Sequence, residues 1–252
     1  GGIEAIEQLL GSVPQVAVFD TAFHATIPAA AATYPIPYEW TEKGIRRYGF
    51  HGTSHKYCSQ RAAQLLGKPL ESLKLITCHL GNGCSLAAVK HGISVNTTMG
   101  FTPLEGLMMG SRSGSIDPAI LIYLMRECQM SAEQLNDMLN KNSGLKGVSG
   151  ISADLRGVCS GIADGNYRAQ LALDTYIHRL QFHIGAMLPS LGGIDAMIFT
   201  AGVGENSPLV RQRACESFAF LGWKLDQHKN ETYRPDCEIS DPDSTIPILI
   251  IH

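Results

Sequence analysis

LITCHLGNG, Leu75 to Gly83, runs directly into CSLAAVKHGISVNTT, Cys84 to Thr98. The run from Leu73 to Cys78, which overlaps its start, is largely apolar and partly β-branched and predicts a buried strand. The strand delivers His79-Leu80-Gly81-Asn82-Gly83. Glycines at such a point let the backbone approach a phosphate and aim N–H groups at its oxygens. A dinucleotide-binding or P-loop site needs a helix straight after its glycines. Here the residues after Gly83 alternate in polarity and turn at Lys90-His91-Gly92, which predicts a β-hairpin. The Lys-Ser/Thr pair of a P-loop is missing as well. A second apolar strand, Ala196 to Thr200, ends in Gly202-Val203-Gly204-Glu205-Asn206. That turn opens a helix, with Ser207 as cap and Pro208 at the first position, whose positive end suits an anion. Two glycine turns, each after a buried strand, point to a nucleotide held between two arms.

Outward from these turns, strands and helices alternate. Ile3 to Leu10 predicts a short amphipathic helix stopped by Gly11, and Gln15 to Phe19 a strand delivering Asp20. Residues 27–39 read as an irregular loop. Tyr48 to His55 leads into a helix capped at Thr53 or Ser54 and ended by Gly67. Met130 to Leu139 is a helix with Ser131 as cap, and Lys141 to Gly150 a loop. Ala169 to Leu188 is a long amphipathic helix, and Ile246 to Ile251 a buried strand. The class is α/β with a largely parallel or mixed sheet. The lack of an initiator Met, and a last strand ending one residue before His252, predict a chain cut at both ends, with a natural terminus as the alternative.

Composition bounds the function. The 252 residues make one to two domains. Charged residues are 17%, and Lys plus Arg (20) against Asp plus Glu (23) leave a net charge of −3. No basic field exists for nucleic acid or an anionic membrane, so an anionic ligand must be caught by local groups. Seven Cys without a C-x-x-C pair fit reduced thiols in a cytosol better than a disulfide framework or zinc ribbon. The start lacks the basic-then-apolar pattern of a signal peptide, and no stretch is apolar enough to span a membrane.

Several polar groups stand near the glycine turns. Asp20 sits at a strand end, where a cap or turn role is the plain alternative. His51 and His55 are spaced i, i+4, but H-G-T-S-H lacks the Glu of a zinc-protease helix, and one of the two reads as a buried, hydrogen-bonded His. Arg112 lies in Gly110-Ser111-Arg112-Ser113-Gly114, where small neighbours let its fork reach phosphoryl oxygens. Asp154-Leu155-Arg156 reads as a loop, with an internal ion pair as the plain alternative.

Phe19-Asp20-Thr21-Ala22-Phe23-His24, Tyr48-Gly49-Phe50-His51-Gly52-Thr53-Ser54-His55, His79 to Gly83, Ser111-Arg112-Ser113-Gly114 and Gly202 to Asn206, in this order, closely resemble the acetate kinase family of the acetate and sugar kinase, Hsp70 and actin superfamily. The resemblance covers essentially the whole chain. It implies an α/β, actin-like ATPase (ribonuclease H-like) domain: a mixed sheet flanked by helices, with a phosphate loop inside a hairpin. It implies ATP-dependent, reversible phosphorylation of acetate to acetyl phosphate with Mg²⁺, in a cytoplasmic homodimer without nucleic-acid or membrane partners. Asp20 matches the family's catalytic carboxylate, and His51 and Arg112 its transition-state stabilisers. His79, Leu80, Gly81, Asn82 and Gly83, then Asp154, Leu155 and Arg156, then Gly202, Val203, Gly204, Glu205 and Asn206 match three ATP-contacting segments. Phe50 and Pro103 match part of the pocket for the acetate methyl. An acetate carboxylate is already ionised at neutral pH, so an orienting role suits Asp20 better than proton abstraction.

Three departures stand out. The family's first domain, with its Asn and two Arg, has no counterpart here, nor has the segment past the last strand that holds Mg²⁺. Ser115 stands where many relatives have Asp. Residues 1–252 are therefore expected to be a nucleotide-binding C-terminal domain, with 1–20 at the hinge to the first domain, the metal ligands elsewhere and turnover impaired. A propionate- or butyrate-type kinase is separated by the room around Phe50 and Pro103. A non-catalytic actin-like module is the alternative of another class. An NAD enzyme is disfavoured by the hairpin after Gly83.

Overall fold

A computed structural model of the chain describes residues 1–232 and 236–252. Its helices are α1 Gly2–Leu10, α2 Ala29–Ala32, α3 Glu39–Glu42, α4 Gly52–Leu66, α5 Ala119–Glu127, α6 Ala132–Lys141, α7 Gly144–Ser149, α8 Leu155–Ala163, α9 Tyr167–Leu191, α10 Ala201–Asn206, α11 Pro208–Glu216 and α12 Gln227–Glu231. The strands are β1 Lys74–Leu80, β2 Cys84–Lys90, β3 Ile93–Thr97, β4 Ala196–Thr200, β5 Cys237–Glu238 and β6 Ile248–Ile250. They form one six-stranded mixed sheet in the order β3-β2-β1-β4-β6-β5. β1, β4 and β6 run parallel, and the hairpin β2–β3 and the short β5 add antiparallel edges.

Strand alternation splits the core into two layers. Ile76, Cys78, Leu86, Met197, Phe199 and Ile248 face one way and pack with Leu173, Ile177, Leu180 and Ile184 of α9. Leu75, Ala87, Val89, Ile198 and Leu249 face the other way and pack with Cys58, Ala62 and Ala63 of α4. The long amphipathic helix and the hairpin predicted from sequence are thus the two features that build the sheet and cover it. The hairpin turns through His91 and Gly92, both in the left-handed region, as two-residue hairpin loops require.

Four expectations are corrected. Gln15 to Phe19 forms no strand: Val16, Val18 and Phe19 are 86%, 75% and 64% exposed and join no ladder among the described residues. β-propensity becomes a strand only where a neighbour supplies the hydrogen bonds. Residues 27–39 are not wholly irregular, since α2 lies inside and α3 starts there. The loop Lys141 to Gly150 contains α7, stitched to its neighbours by Leu145 and Lys146 N–H groups donating to the carbonyls of Met109 and Gly110. The α4 cap is His51, not Thr53 or Ser54.

Candidate active site

Both glycine turns leave the same end of the adjacent parallel strands β1 and β4, where His79 pairs with Thr200. The first is a tight turn closed by Gly81 N–H to the Gly83 carbonyl at 3.0 Å. The second is not a loop preceding a helix. Residues 201–206 are themselves a short helix, and Ser207, whose hydroxyl accepts from Val210 N–H, then caps α11 with Pro208 in its first turn. The turns touch: a Cβ built on Gly81 would lie 3.8 Å from Ala201 Cβ.

A cleft of about 1000 Å³ opens over them, lined by Gly81 and Asn82, by Asp154, Leu155 and Arg156, and by Gly202, Val203 and Asn206. The three segments singled out from sequence therefore meet in one place. Asp154-Leu155-Arg156 is a helix start rather than a loop: Asp154 caps α8 by accepting from Arg156 N–H. The ion pair is present too, with Arg156 Nη2 2.5 Å from Asp154 Oδ2, and it holds the Asp154 carboxyl down at about 2. The starts of α8 and α11 both line the cleft, so two positive helix ends face it. Leu80 and Gly204 are buried in the core instead, and Glu205 turns away to accept from His252 Nδ1 at 2.6 Å.

Gly110, Ala153, Tyr176, Pro208 and Leu209 also line the cleft and were not singled out as contacts from sequence. Gly110 carried a usable signal. It sits among small residues in the sequence, and a Cβ there would overlap the Asn82 side chain. Tyr176 and Ala153 carry no local signal, because tertiary packing alone brings them there.

Gly83 links the cleft to the candidate reactive groups. A Cβ on Gly83 would lie 3.4 Å from Arg112 Nη1 and 3.5 Å from His51 Cε1 and Nε2. Arg112 Nη1 donates to the Pro103 carbonyl at 3.2 Å. Residues 109–113 are held by backbone bonds from Met109 to Arg112 and from Ser113 to Leu139. His51 stands at φ 56°, ψ 27°, a left-handed conformation uncommon for a residue with a Cβ. Asp20 maintains it: its Oδ2 accepts the His51 N–H at 2.7 Å and its carbonyl accepts the Gly52 N–H at 2.8 Å. Phe50, half-buried, packs on the main core, and its carbonyl lies 3.0 Å from His24 Nε2. Ser115 Oγ accepts from Gly106 N–H at 2.9 Å, a structural contact that a carboxylate could also make.

His24, His51, His55 and His79 gather beside this site. His51 and His79 stack with centroids 4.1 Å apart, and His55 sits 6.5 Å from His51. Burial lowers the pKa of each, His79 to about 4. Asp20 pulls His51 the other way, but burial outweighs it. The rings are therefore neutral at neutral pH.

The Acetokinase family's sequence profile matches residues 1–252. The acetate kinase of Rippkaea orientalis is 71% identical over 251 residues, which is 100% of this chain and 62% of that protein. A crystal structure of Porphyromonas gingivalis acetate kinase superposes with a TM-score of 0.95 at 44% identity, over 99% of this chain and 63% of that one. A propionate kinase from Francisella tularensis superposes with a TM-score of 0.93 at 43% identity, over 99% and 64%. With these neighbours the mixed sheet and its helices are an α/β fold of the actin-like ATPase type. The chain spans about 62% of the length of the curated relatives it matches.

Proposed function

The chain belongs to the Acetokinase family, and on that premise we propose that it is the nucleotide-binding part of a kinase that phosphorylates acetate reversibly from ATP, giving acetyl phosphate and ADP. The observation that carries this reading is the meeting of His51 and Arg112 at Gly83, the residue that follows Asn82 of the cleft lining. Backbone N–H groups and the α8 and α11 ends would take the nucleotide phosphates. The terminal phosphoryl group would then sit against Gly83. Phosphoryl transfer passes through a loose transition state with charge on three equatorial oxygens, and catalysis is mainly placement and charge stabilisation. Arg112 supplies a fixed positive charge for those oxygens and His51 a neutral donor. Asp20 keeps His51 in place through its backbone. Phe50 and Pro103 flank the reactive groups on the side proposed for the acyl chain.

Among the described residues no group of three or more His, Cys, Asp or Glu could hold a metal ion. The metal would arrive with the substrate, as magnesium-bound ATP. Residues 1–20, none of them buried, are proposed as the hinge to a first domain. A homodimer in the cytoplasm is part of the same proposal, supported by the family and by seven free thiols. Among the described residues no helix is long and apolar enough to cross a membrane.

The test is a pair of measurements on the full-length kinase, wild type and Arg112→Ala, since residues 1–252 alone are expected to turn over poorly. Calorimetry with Mg-ADP reads nucleotide affinity, and trapping of acyl phosphate as hydroxamate reads transfer to acetate, propionate and butyrate. Arg112→Ala is expected to leave ADP affinity nearly intact and to lower turnover on the order of 10²–10³-fold or more. Equal losses in both would remove Arg112 from the chemistry. Nucleotide binding without transfer to any acid would favour a non-catalytic actin-like module. Preference for propionate would favour the second reading, which the near-equal likeness to a propionate kinase keeps in play.

A further inference from the structure

Alternation places every second residue of β1 and β2 against α4. On that face Thr77 and Ser85, both fully buried, meet His51 and His55 at the start of the helix. Thr77 Oγ1 lies 2.7 Å from His55 Nδ1, His55 Nε2 lies 2.7 Å from Ser85 Oγ, and Ser85 Oγ lies 2.8 Å from His51 Nδ1. Each hydroxyl has one proton to give, and each neutral imidazole has one N–H and one lone pair. Fixing one proton therefore fixes the direction of the whole chain.

Thr77 fixes it. Its hydroxyl has a choice between His55 Nδ1 at 2.7 Å and the Ala87 carbonyl at 3.5 Å. The second distance is beyond the useful range of an O–H bond, so the proton goes to His55 Nδ1. His55 must then carry its own proton on Nε2 and donate it to Ser85. Ser85 in turn donates to His51 Nδ1, which leaves the His51 proton on Nε2. That atom is the one beside Gly83 and Arg112.

We infer that Thr77, His55 and Ser85 are positioning residues, a buried hydrogen-bond relay that holds His51 in the neutral Nε2–H tautomer as a fixed donor to an anion seated at Gly83. The service to an anion rests on the proposed kinase reading; the tautomer does not. The groups that face the relay are His79, stacked on His51, His24, edge-on to His55, the Asp20 carboxylate and the Arg112 guanidinium. His24 is satisfied separately, by Ser94 Oγ and the Phe50 carbonyl.

Long-range proton–nitrogen correlation spectra of the ¹⁵N-histidine-labelled protein near pH 7 read which ring nitrogen is protonated. His51 and His55 are both expected as Nε2–H. Ser85→Ala should release His51 into a tautomer mixture while His55, still fixed by Thr77, keeps its form. Thr77→Val retains the shape but not the hydroxyl, and should release both rings. Ser94→Ala should release neither. Wild-type His51 protonated on Nδ1 or on both nitrogens would overturn the relay, as would an unchanged His51 in both Ser85→Ala and Thr77→Val. In turnover, Ser85→Ala should lower kcat roughly tenfold with the nucleotide KM unchanged, less than loss of a whole donor group. A shifted tautomer with unchanged kcat would keep the relay and remove His51 from the proposed phosphoryl transfer.

Discussion

His51 is constrained twice, by its backbone and by its ring. At φ 56° a β-branched replacement would be strained, while Asn or Gly fits the left-handed region far better. His51→Asn therefore probes the imidazole with little backbone disturbance, and a β-branched substitution would mix the two effects. Gly83 offers the reverse separation. A methyl there would make ordinary van der Waals contacts at 3.4–3.5 Å with Arg112 and His51, so the fold should accept it. Gly83→Ala is expected to change unfolding free energy by less than about 0.5 kcal/mol. By filling the space between the two side chains it should also cut turnover on the order of 10²-fold. Paired denaturation and rate measurements check this; a matching loss of stability would make Gly83 a structural glycine only.

Elements differ in how plainly their sequence announces them. The hairpin was legible because polarity alternates from Ile93 to Asn96 and His91-Gly92 supplies the left-handed turn, although β2 itself runs apolar from Leu86 to Val89 and is buried on both faces. The cap of α6 was legible because Ser131, with Glu133 close behind, precedes an amphipathic run; the structure adds Gln134, which completes a capping box. Ser131→Ala should cost about 1 kcal/mol in urea unfolding while leaving nucleotide affinity unchanged, because α6 contributes nothing to the cleft lining. The segment 15–19 misled because its strand character depends on a neighbour that the letters do not name. Arg112 stood out in a small-residue turn and His51 by its spacing to His55, whereas the strand end that marked Asp20 does not exist, and its hydrogen bonds to His51 and Gly52 place it instead. Thr77 and Ser85 did not stand out, since a hydroxyl inside an apolar strand is an ordinary letter until the register sets it beside a histidine.

The whole molecule inherits an acid sensitivity from its buried rings. Burial lowers His24, His51, His55, His79 and His183 below the ordinary 6.5, His79 and His183 to about 4. Between the folded and unfolded values the unfolded chain binds more protons, so stability falls as pH falls. The thermal midpoint should be level above about pH 7 and drop progressively from pH 6.5 towards 4, where the histidines are forced to charge. His252, raised by Glu205, acts with the opposite sign, but it is fully exposed and its effect is screened. A midpoint that holds level down to pH 4 would contradict this account of the histidine cluster.

The parallel pairing of β1 with β4 has a mechanical consequence. Because His79 is registered against Thr200, the two glycine arms are spaced by one interstrand step, about 4.8 Å, and cannot spread without tearing the sheet. On the proposed kinase reading they would form a jaw of fixed gauge for the phosphates, which every nucleotide shares. Other parts of the lining, Ala153 and Tyr176 among them, belong to no strand. On that reading, adaptation to one base or another falls to lining residues such as these, outside the arms that would hold phosphate.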